Sequence, residues 1–150
     1  MKKFIMILLV FVGYNASAQW VVKEVNDDPF EPAYTICYNS ATSGNQLFKL
    51  EQNDGKILCY ISSSYICDEY VDVSMSFKID DEWKRIELTS QMVIKSKLCI
   101  LSTDLMTEDW TDSLKRASEV AILIKESHCD SERMMFKNDN AEEAILAWSE

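Results

Sequence analysis

The stretch EYVDVSMSFKIDDEW, from Glu69 to Trp83, alternates apolar and polar side chains over almost its whole length. Successive side chains of a strand project to opposite faces, so a period of two separates the residues into an inward and an outward set. The inward set is Val71, Val73, Met75, Phe77 and Ile79, and the outward set is Asp72, Ser74, Ser76 and Lys78. The pattern predicts a strand with one buried and one solvated face. Because the outward set lacks aromatic side chains and basic clusters, we interpret that face as a solvated surface.

Turn signals ahead of this strand predict a run of antiparallel hairpins. Gly44, in SGNQ, separates the apolar stretches 34–38 and 47–50, and Gly55, in NDGK, separates the latter from 57–61. Asp-Gly between apolar runs is a strong hairpin signal. The serine cluster Ser62–Ser64 is predicted to turn the chain directly into the alternating strand.

The rest of the chain predicts more strands and two helices. Apolar residues recur at helical spacing over about 107–117 and again over 139–148, and the first helix has Trp110 on its buried stripe. Strands are predicted over 83–88, 91–94, 98–101, 119–127 and 132–137. The expected fold is mainly β: a single antiparallel β-sandwich-like domain with one or two peripheral helices.

The first 18 residues have the composition of a secretory signal peptide. Lys2 and Lys3 precede an apolar run, and Ala16, Ser17 and Ala18 supply an A-x-A exit site. The apolar run is shorter than the ~20 residues that span a bilayer, so no membrane anchor is expected after cleavage. We therefore predict a domain of residues 19–150 that begins at Gln19 and resides in the periplasm or outside the cell.

The charge of the chain restricts its partners. The formal charge is −10, and removal of Lys2 and Lys3 makes it −12. Nucleic acids and anionic membranes attract basic surfaces, so this composition disfavours both and favours a protein partner with a basic surface.

Five cysteines in an exported chain predict two disulfides and one free thiol. If Ser62–Ser64 forms a three-residue turn, Cys59 lies directly opposite Cys67. Opposed residues of antiparallel strands are within reach of a disulfide, so Cys59 and Cys67 are the predicted pair. Free thiols buried on the same apolar face are the alternative.

Catalytic and cofactor motifs are absent from the sequence. His128 is the one histidine, and neither a Gly-x-Ser-x-Gly elbow nor a Cys-x-x-Cys accompanies it. We predict no catalytic residue, no metal site, no cofactor and no enzymatic activity. A carboxylate-dependent hydrolase is the enzymatic alternative, since the acidic clusters Asp80–Glu82 and Asp68–Glu69 offer paired carboxylates.

Several segments together resemble small exported bacterial and phage-encoded proteins. They are the Trp20 that follows the signal peptide, DDPFEPAY (27–34), LFKL (47–50), LCYISSSY (58–65), VDVSMSFKID (71–80) and MMFKNDNAEEAIL (134–146). In this order they resemble the invasion-associated locus B family and the VasI-like proteins associated with type VI secretion. The resemblance implies a β-sandwich-like periplasmic domain without established enzymatic chemistry.

The expected function is that of an exported, non-enzymatic binding or accessory protein. Its predicted partner-binding residues are Asp80, Asp81 and Glu82, with Trp83 as a candidate anchor, and burial of Trp83 in the core is the alternative. Asp27 and Asp28, or Asp68 and Glu69, are candidates to join this acidic cluster at one end of the sheet. A periplasmic inhibitor or immunity protein against a basic, lysozyme-like effector is the second hypothesis, and it predicts a long acidic loop.

Overall fold

A computed structural model describes residues 20–26, 29–30, 33–42, 44–53, 56–101 and 108–149. The predicted signal peptide, Asp27, Asp28, Gly55 and Thr107, the first residue of the predicted helix 107–117, lie outside these ranges. The strands are β1 (Val21–Val25), β2 (Tyr34–Ser40), β3 (Leu47–Asn53), β4 (Lys56–Ser62), β5 (Tyr70–Ile79), β6 (Glu82–Ile94), β7 (Leu98–Leu101), β8 (Glu119–Lys125) and β9 (Glu132–Lys137). The helices are α1 (Glu108–Arg116) and α2 (Ala141–Ser149).

The described strands form one antiparallel sheet in the order β1-β2-β3-β4-β7-β6-β5-β8-β9. The hairpins β2–β3 and β3–β4 are present as predicted, and Gly44 has a φ of +97°, which side-chain-bearing residues rarely adopt. The predicted hairpin at Ser62–Ser64 is wrong, because β7 lies beside β4 and the chain crosses to β5 instead. Backbone N–H groups of Ser63 and Ile66 donate to the carbonyls of Lys97 and Ser96, so this crossing runs along the β6–β7 turn.

β6 is one strand of 13 residues, although the sequence predicts two strands separated by a polar break. The pairing with β5 shifts between Val71 and Val73, where β6 carries an extra residue. Ser90 has a φ of 56° at this irregularity, and its backbone N–H donates to Asp72 Oδ1 at 3.0 Å. The polar break in the sequence is therefore a β-bulge inside a continuous strand.

The sheet curls until its two halves face each other across the core. β3 and β9 are separated by five strands, which in a flat sheet would place them roughly 29 Å apart. The ring centroids of Phe48 on β3 and Phe136 on β9 are 5.9 Å apart. Trp110 of α1 packs edge-on against both Phe48 and Phe77, so α1 fills the space between the halves. The mainly β, sandwich-like prediction is confirmed, with one curled sheet in place of two.

A polar clamp joins Trp20 to the segment between β9 and α2. The Trp20 indole N–H donates to Asn138 Oδ1 at 2.5 Å, and its backbone N–H donates to Asn140 Oδ1 at 2.8 Å. The Asn138 amide donates in turn to the carbonyls of Leu114 and Ala117, at 2.6 and 2.8 Å, at the end of α1. The buried Asn138 side chain thus connects Trp20 to the end of α1, and its backbone carbonyl accepts from Ala141 N–H at the start of α2, at 3.2 Å.

Candidate functional site

The residues Asp80, Asp81 and Glu82, named here the acidic turn, form the tip of the β5–β6 hairpin. Asp80 and Asp81 have φ angles of 51° and 64°, and positive φ at both central residues defines a type I′ turn. All three side chains are exposed. Arg116, at the end of α1, approaches Asp80 with Nη2 at 3.5 Å from Oδ2. The predicted acidic residues Asp80, Asp81 and Glu82 therefore lie together, exposed, at the two-residue turn between β5 and β6.

Asp68 and Glu69 do not join the acidic turn. They precede β5, whereas the acidic turn follows it, and a strand of 10 residues is roughly 30 Å long. The two acidic groups thus occupy opposite ends of the sheet.

Trp83, the first residue after the acidic turn, lies on the outward face of β6 with 48% of its surface exposed. The other tryptophans, Trp20, Trp110 and Trp148, are buried. Lys78 lies opposite Trp83 in the register, and its Nζ is 6.0 Å from the ring centroid. The alternative of a core Trp83 is wrong, and the side chain is available to a partner.

A groove of about 280 Å³ extends from Trp83 across the outward faces of β6, β5, β8 and β9. The register explains its shape. Arg85 on β6, Ser76 on β5, Ala121 on β8 and Met135 on β9 form one row across the sheet. The long side chains of Arg85 and Met135 lie at the two ends of the row, and the small Ser76 and Ala121 lie between them. The groove is the gap above these small residues.

Charged side chains occupy both sides of the groove. Arg85 Nη2 lies 2.5 Å from Glu87 Oε1 and also donates to the Ser74 hydroxyl at 3.1 Å. Lys125 contacts the other Glu87 oxygen at 2.8 Å. Hydrogen bonds from Lys125 and Ser74, together with the charge of Arg85, lower the Glu87 pKa to about 2. Arg133, which lines the β9 side, is exposed.

The interpretation of the outward face of β5 as merely solvated is incomplete. Ser74 and Ser76 carry no binding signal themselves, but neighbouring strands place Trp83, Arg85 and Arg133 around them. The sequence did place these residues in predicted strands, since Trp83 and Arg85 belong to 83–88 and Arg133 belongs to 132–137. Only the strand order shows that these outward residues share one groove.

The predicted Cys59–Cys67 disulfide is wrong. Cys67 is bonded to Cys129, at a sequence separation of 62 residues, and Cys59 is a buried thiol. Because β4 pairs with β7, Cys59 lies beside Leu101 and away from the segment that holds Cys67. Glu126 lies close to both sulfurs of the disulfide, but a bonded cysteine supplies no thiolate to a metal ion.

The remaining cysteines, Cys37, Cys59 and Cys99, are free thiols on the inward face. Burial raises the pKa of Cys37 and of Cys99 to about 12, and it raises the pKa of Cys59 further. The prediction of two disulfides is therefore wrong, and the alternative of buried free thiols holds for these positions. Their protonated sulfurs act as small apolar groups in the core.

His128 pairs with Asp68 across the disulfide-linked end of the sheet. His128 Nδ1 lies 2.5 Å from Asp68 Oδ1, and the backbone N–H of Ser127 donates to Oδ2. The hydrogen bond from Ser127, followed by that from His128, lowers the Asp68 pKa. The disulfide and this cluster together fasten the β8–β9 loop to the segment before β5.

A second, open recess of about 640 Å³ lies between the end of α1 and the beginning of α2. Asp139, Glu142 and Glu143 line it on one side, and Lys115 and Arg116 line it on the other. Acidic residues at the start of a helix and basic residues at its end both complement the helix dipole. Helix capping therefore accounts for the charges around this recess.

Comparisons of the chain with protein-family models, with curated proteins and with solved structures found no match. Within the described residues, neither helix has the length and apolar character needed to cross a membrane.

Proposed function

We propose that this chain is an exported, non-enzymatic binding protein that recognises a protein partner with a basic surface through the acidic turn and Trp83. The observation that carries the proposal is the exposed Trp83 directly beside three exposed carboxylates. Aromatic side chains with accessible faces are enriched among the residues that contribute most to protein interfaces. The carboxylates supply charge complementarity at the edge of that anchor.

The conformation of the acidic turn supports a role for its charge. A type I′ turn favours Asn-Gly, because glycine adopts positive φ without the steric cost that a Cβ atom introduces. This chain instead has aspartate at both central positions. Residues in sparsely populated backbone conformations are often found at functional sites, and here both residues in such a conformation carry a carboxylate.

The charge of the whole chain supports the same class of partner. A negative potential accelerates encounter with a basic protein by about 10-fold to 1,000-fold, and salt reduces this effect. Export is supported by the predicted signal peptide and by the disulfide, since disulfides persist in oxidising compartments. A role near a secretion system stays a prediction from the resemblance.

The two alternatives receive less support. The inhibitor hypothesis predicted a long acidic loop, whereas the acidic turn is the tip of a tight hairpin. The hydrolase hypothesis requires a cleft that holds paired carboxylates. The described lining of the groove contains none, and helix capping explains those around the open recess.

The decisive experiment changes the charge of the acidic turn without disturbing its backbone. Asp80→Asn combined with Asp81→Gly installs the preferred type I′ sequence and removes two negative charges. The matched control is Asp109→Asn combined with Asp112→Asn, which removes two exposed aspartates from α1. Association with a basic lysozyme, as a defined basic probe, and with partners captured from periplasmic extract is measured between 0.1 and 1 M salt.

We expect the on-rate of the wild-type protein to fall at least about tenfold across this range. The acidic-turn variant should bind slowly at low salt, and the α1 variant should retain most of the wild-type rate. Trp83→Ala should raise the dissociation rate with little effect on the on-rate. An on-rate that salt and the turn substitutions leave unchanged would contradict the proposal.

A further inference from the structure

The groove beside Trp83 has the chemistry of a small binding site rather than of a solvated face. Its volume of about 280 Å³ is at the small end of ligand pockets, which suits a small molecule or a single side chain with one functional group. Trp83 supplies an exposed aromatic surface at one end, and Ser76 supplies a hydroxyl on the floor. The charged groups of the described lining are two arginines, and these determine the class of ligand.

Arg85 and Arg133 enter the groove from opposite sides. Their backbones on β6 and β9 are three strand spacings, roughly 14 Å, apart across the sheet, and Arg133 lies in the next outward row, opposite Leu123. Ser74, Ser76 and Ala121 between the two arginines are small and leave room for both guanidinium groups to approach a shared ligand. Arg85 already contacts Glu87 and Ser74, which hold its side chain in place. Arg133 has no ion pair within the described part of the chain, so its planar set of donors is open to a ligand.

We propose that this groove binds a carboxylate group, with Arg133 as its principal partner and Arg85 as a second cation. Trp83 stacks against the planar group to which the carboxylate is attached. A guanidinium group matches a carboxylate with two parallel hydrogen bonds. The groove therefore selects an anion, although the chain as a whole is strongly acidic. The inference does not require the acidic turn to bind a basic partner, because the two features use different charged residues.

The test is a titration of the isotopically labelled protein with benzoate and with its neutral isostere benzamide, followed by NMR. We expect benzoate to shift the Trp83 indole signal and the backbone amides of β5 and β8 around Ser76 and Ala121. Benzamide should bind at least about tenfold more weakly, since it cannot form charge-assisted hydrogen bonds. Equal affinity for the two compounds, or shifts confined to other surfaces, would overturn the proposal.

Three variants assign the roles within the groove. Arg133→Gln should weaken benzoate binding by about tenfold or more, and Arg133→Lys should have a smaller effect because the charge is retained without the planar fork. Ser76→Val should fill the floor and block binding, while its β-branched side chain suits a strand. Arg116→Gln, which removes an arginine outside the groove, is the matched control. Wild-type affinity in Arg133→Gln would contradict the assignment.

The source of the carboxylate is distinguished with two blocked peptides. One presents a glutamate side chain between glycines with both termini capped, and the other presents a free C-terminal carboxylate on a glycine peptide. Preference for the first assigns the groove to an acidic side chain, and preference for the second assigns it to a chain terminus. Binding of benzoate alone assigns it to a small molecule, whereas binding of none of the three overturns the proposal.

Discussion

The side chain of Asn138 joins Trp20 to the end of α1 inside the core. Asn138 is 3% exposed, and its side chain accepts from Trp20 and donates to two carbonyls at the end of α1. A buried polar group that loses its partner costs about 1 to 3 kcal/mol. The sequence could not reveal this role, because an asparagine before a helix is equally typical of an ordinary N-cap.

Replacing Asn138 with alanine should lower the free energy of unfolding by roughly 2 to 4 kcal/mol, since it leaves one buried indole N–H and two carbonyls unpaired. Urea denaturation measures this change. Asn45→Ala, at an exposed position in the β2–β3 turn, is the matched control and should have little effect. A loss below about 1 kcal/mol for Asn138→Ala would show that water replaces the clamp.

Glu87 should make stability depend on pH in a defined direction. Its folded-state pKa of about 2 lies below the ordinary value of 4.5, so ionised Glu87 stabilises the folded state above pH 4.5. That contribution is lost as the pH falls towards 2. At pH 7 the thermal unfolding midpoint of Glu87→Gln should lie below that of the wild type, and this gap should close between pH 4.5 and 2. Lys125→Gln should reproduce part of the gap, and a gap independent of pH would contradict the assignment.

At the scale of elements, local patterns were sufficient to predict most strands and both helices. The alternation of 71–77 corresponds to β5, whose four apolar residues there are all buried. The order of the strands could not be predicted, since an amphipathic strand buries the same face whichever neighbour it has. For this reason the sequence placed β5 beside β4, and the error in the Cys59–Cys67 pairing follows from that choice. The interpretation of the β5 surface was incomplete because the outward residues of β5 were considered without those of β6 and β9.

The β5–β6 hairpin offers a test of whether its turn residues serve stability or binding. Asp80→Asn with Asp81→Gly should raise the free energy of unfolding by about 0.5 to 1 kcal/mol, because glycine removes the steric cost of positive φ. Chemical denaturation measures the gain. Asp81→Val is the opposing control, since a β-branched residue at positive φ should destabilise the hairpin. If the Asn-Gly variant were less stable than the wild type, the carboxylates would contribute to folding as well.

At the scale of the whole molecule, one covalent bond joins two segments that are distant in the sequence and adjacent in the sheet. The Cys67–Cys129 disulfide closes a loop that contains β5, β6, β7, α1 and β8. Its removal increases the freedom of the unfolded chain, and the loss of a disulfide typically costs about 2 to 4 kcal/mol.

Cys67→Ser combined with Cys129→Ser should therefore lower the free energy of unfolding by about 2 to 4 kcal/mol, as measured in urea. Cys59→Ser, the matched control at a free cysteine, should lower the free energy of unfolding only through the local loss of packing. Alkylation of the denatured, unreduced wild-type protein should label three thiols, at Cys37, Cys59 and Cys99. Labelling of Cys67 or Cys129 under these conditions would contradict the pairing.

The clamp between Trp20 and Asn138 also has a consequence for the timing of folding. Its hydrogen bonds join residues 118 and 120 positions apart, so they cannot form until the ribosome has synthesised nearly the whole described chain. The curled sheet adds contacts of similar range, and high contact order slows folding. We therefore expect a nascent chain to stay unfolded until residues 138–140 have emerged, and an unfolded chain is the form that the proposed export requires. The clamp is expected to form last, so a chain lacking residues 138–149 should stay open to proteases.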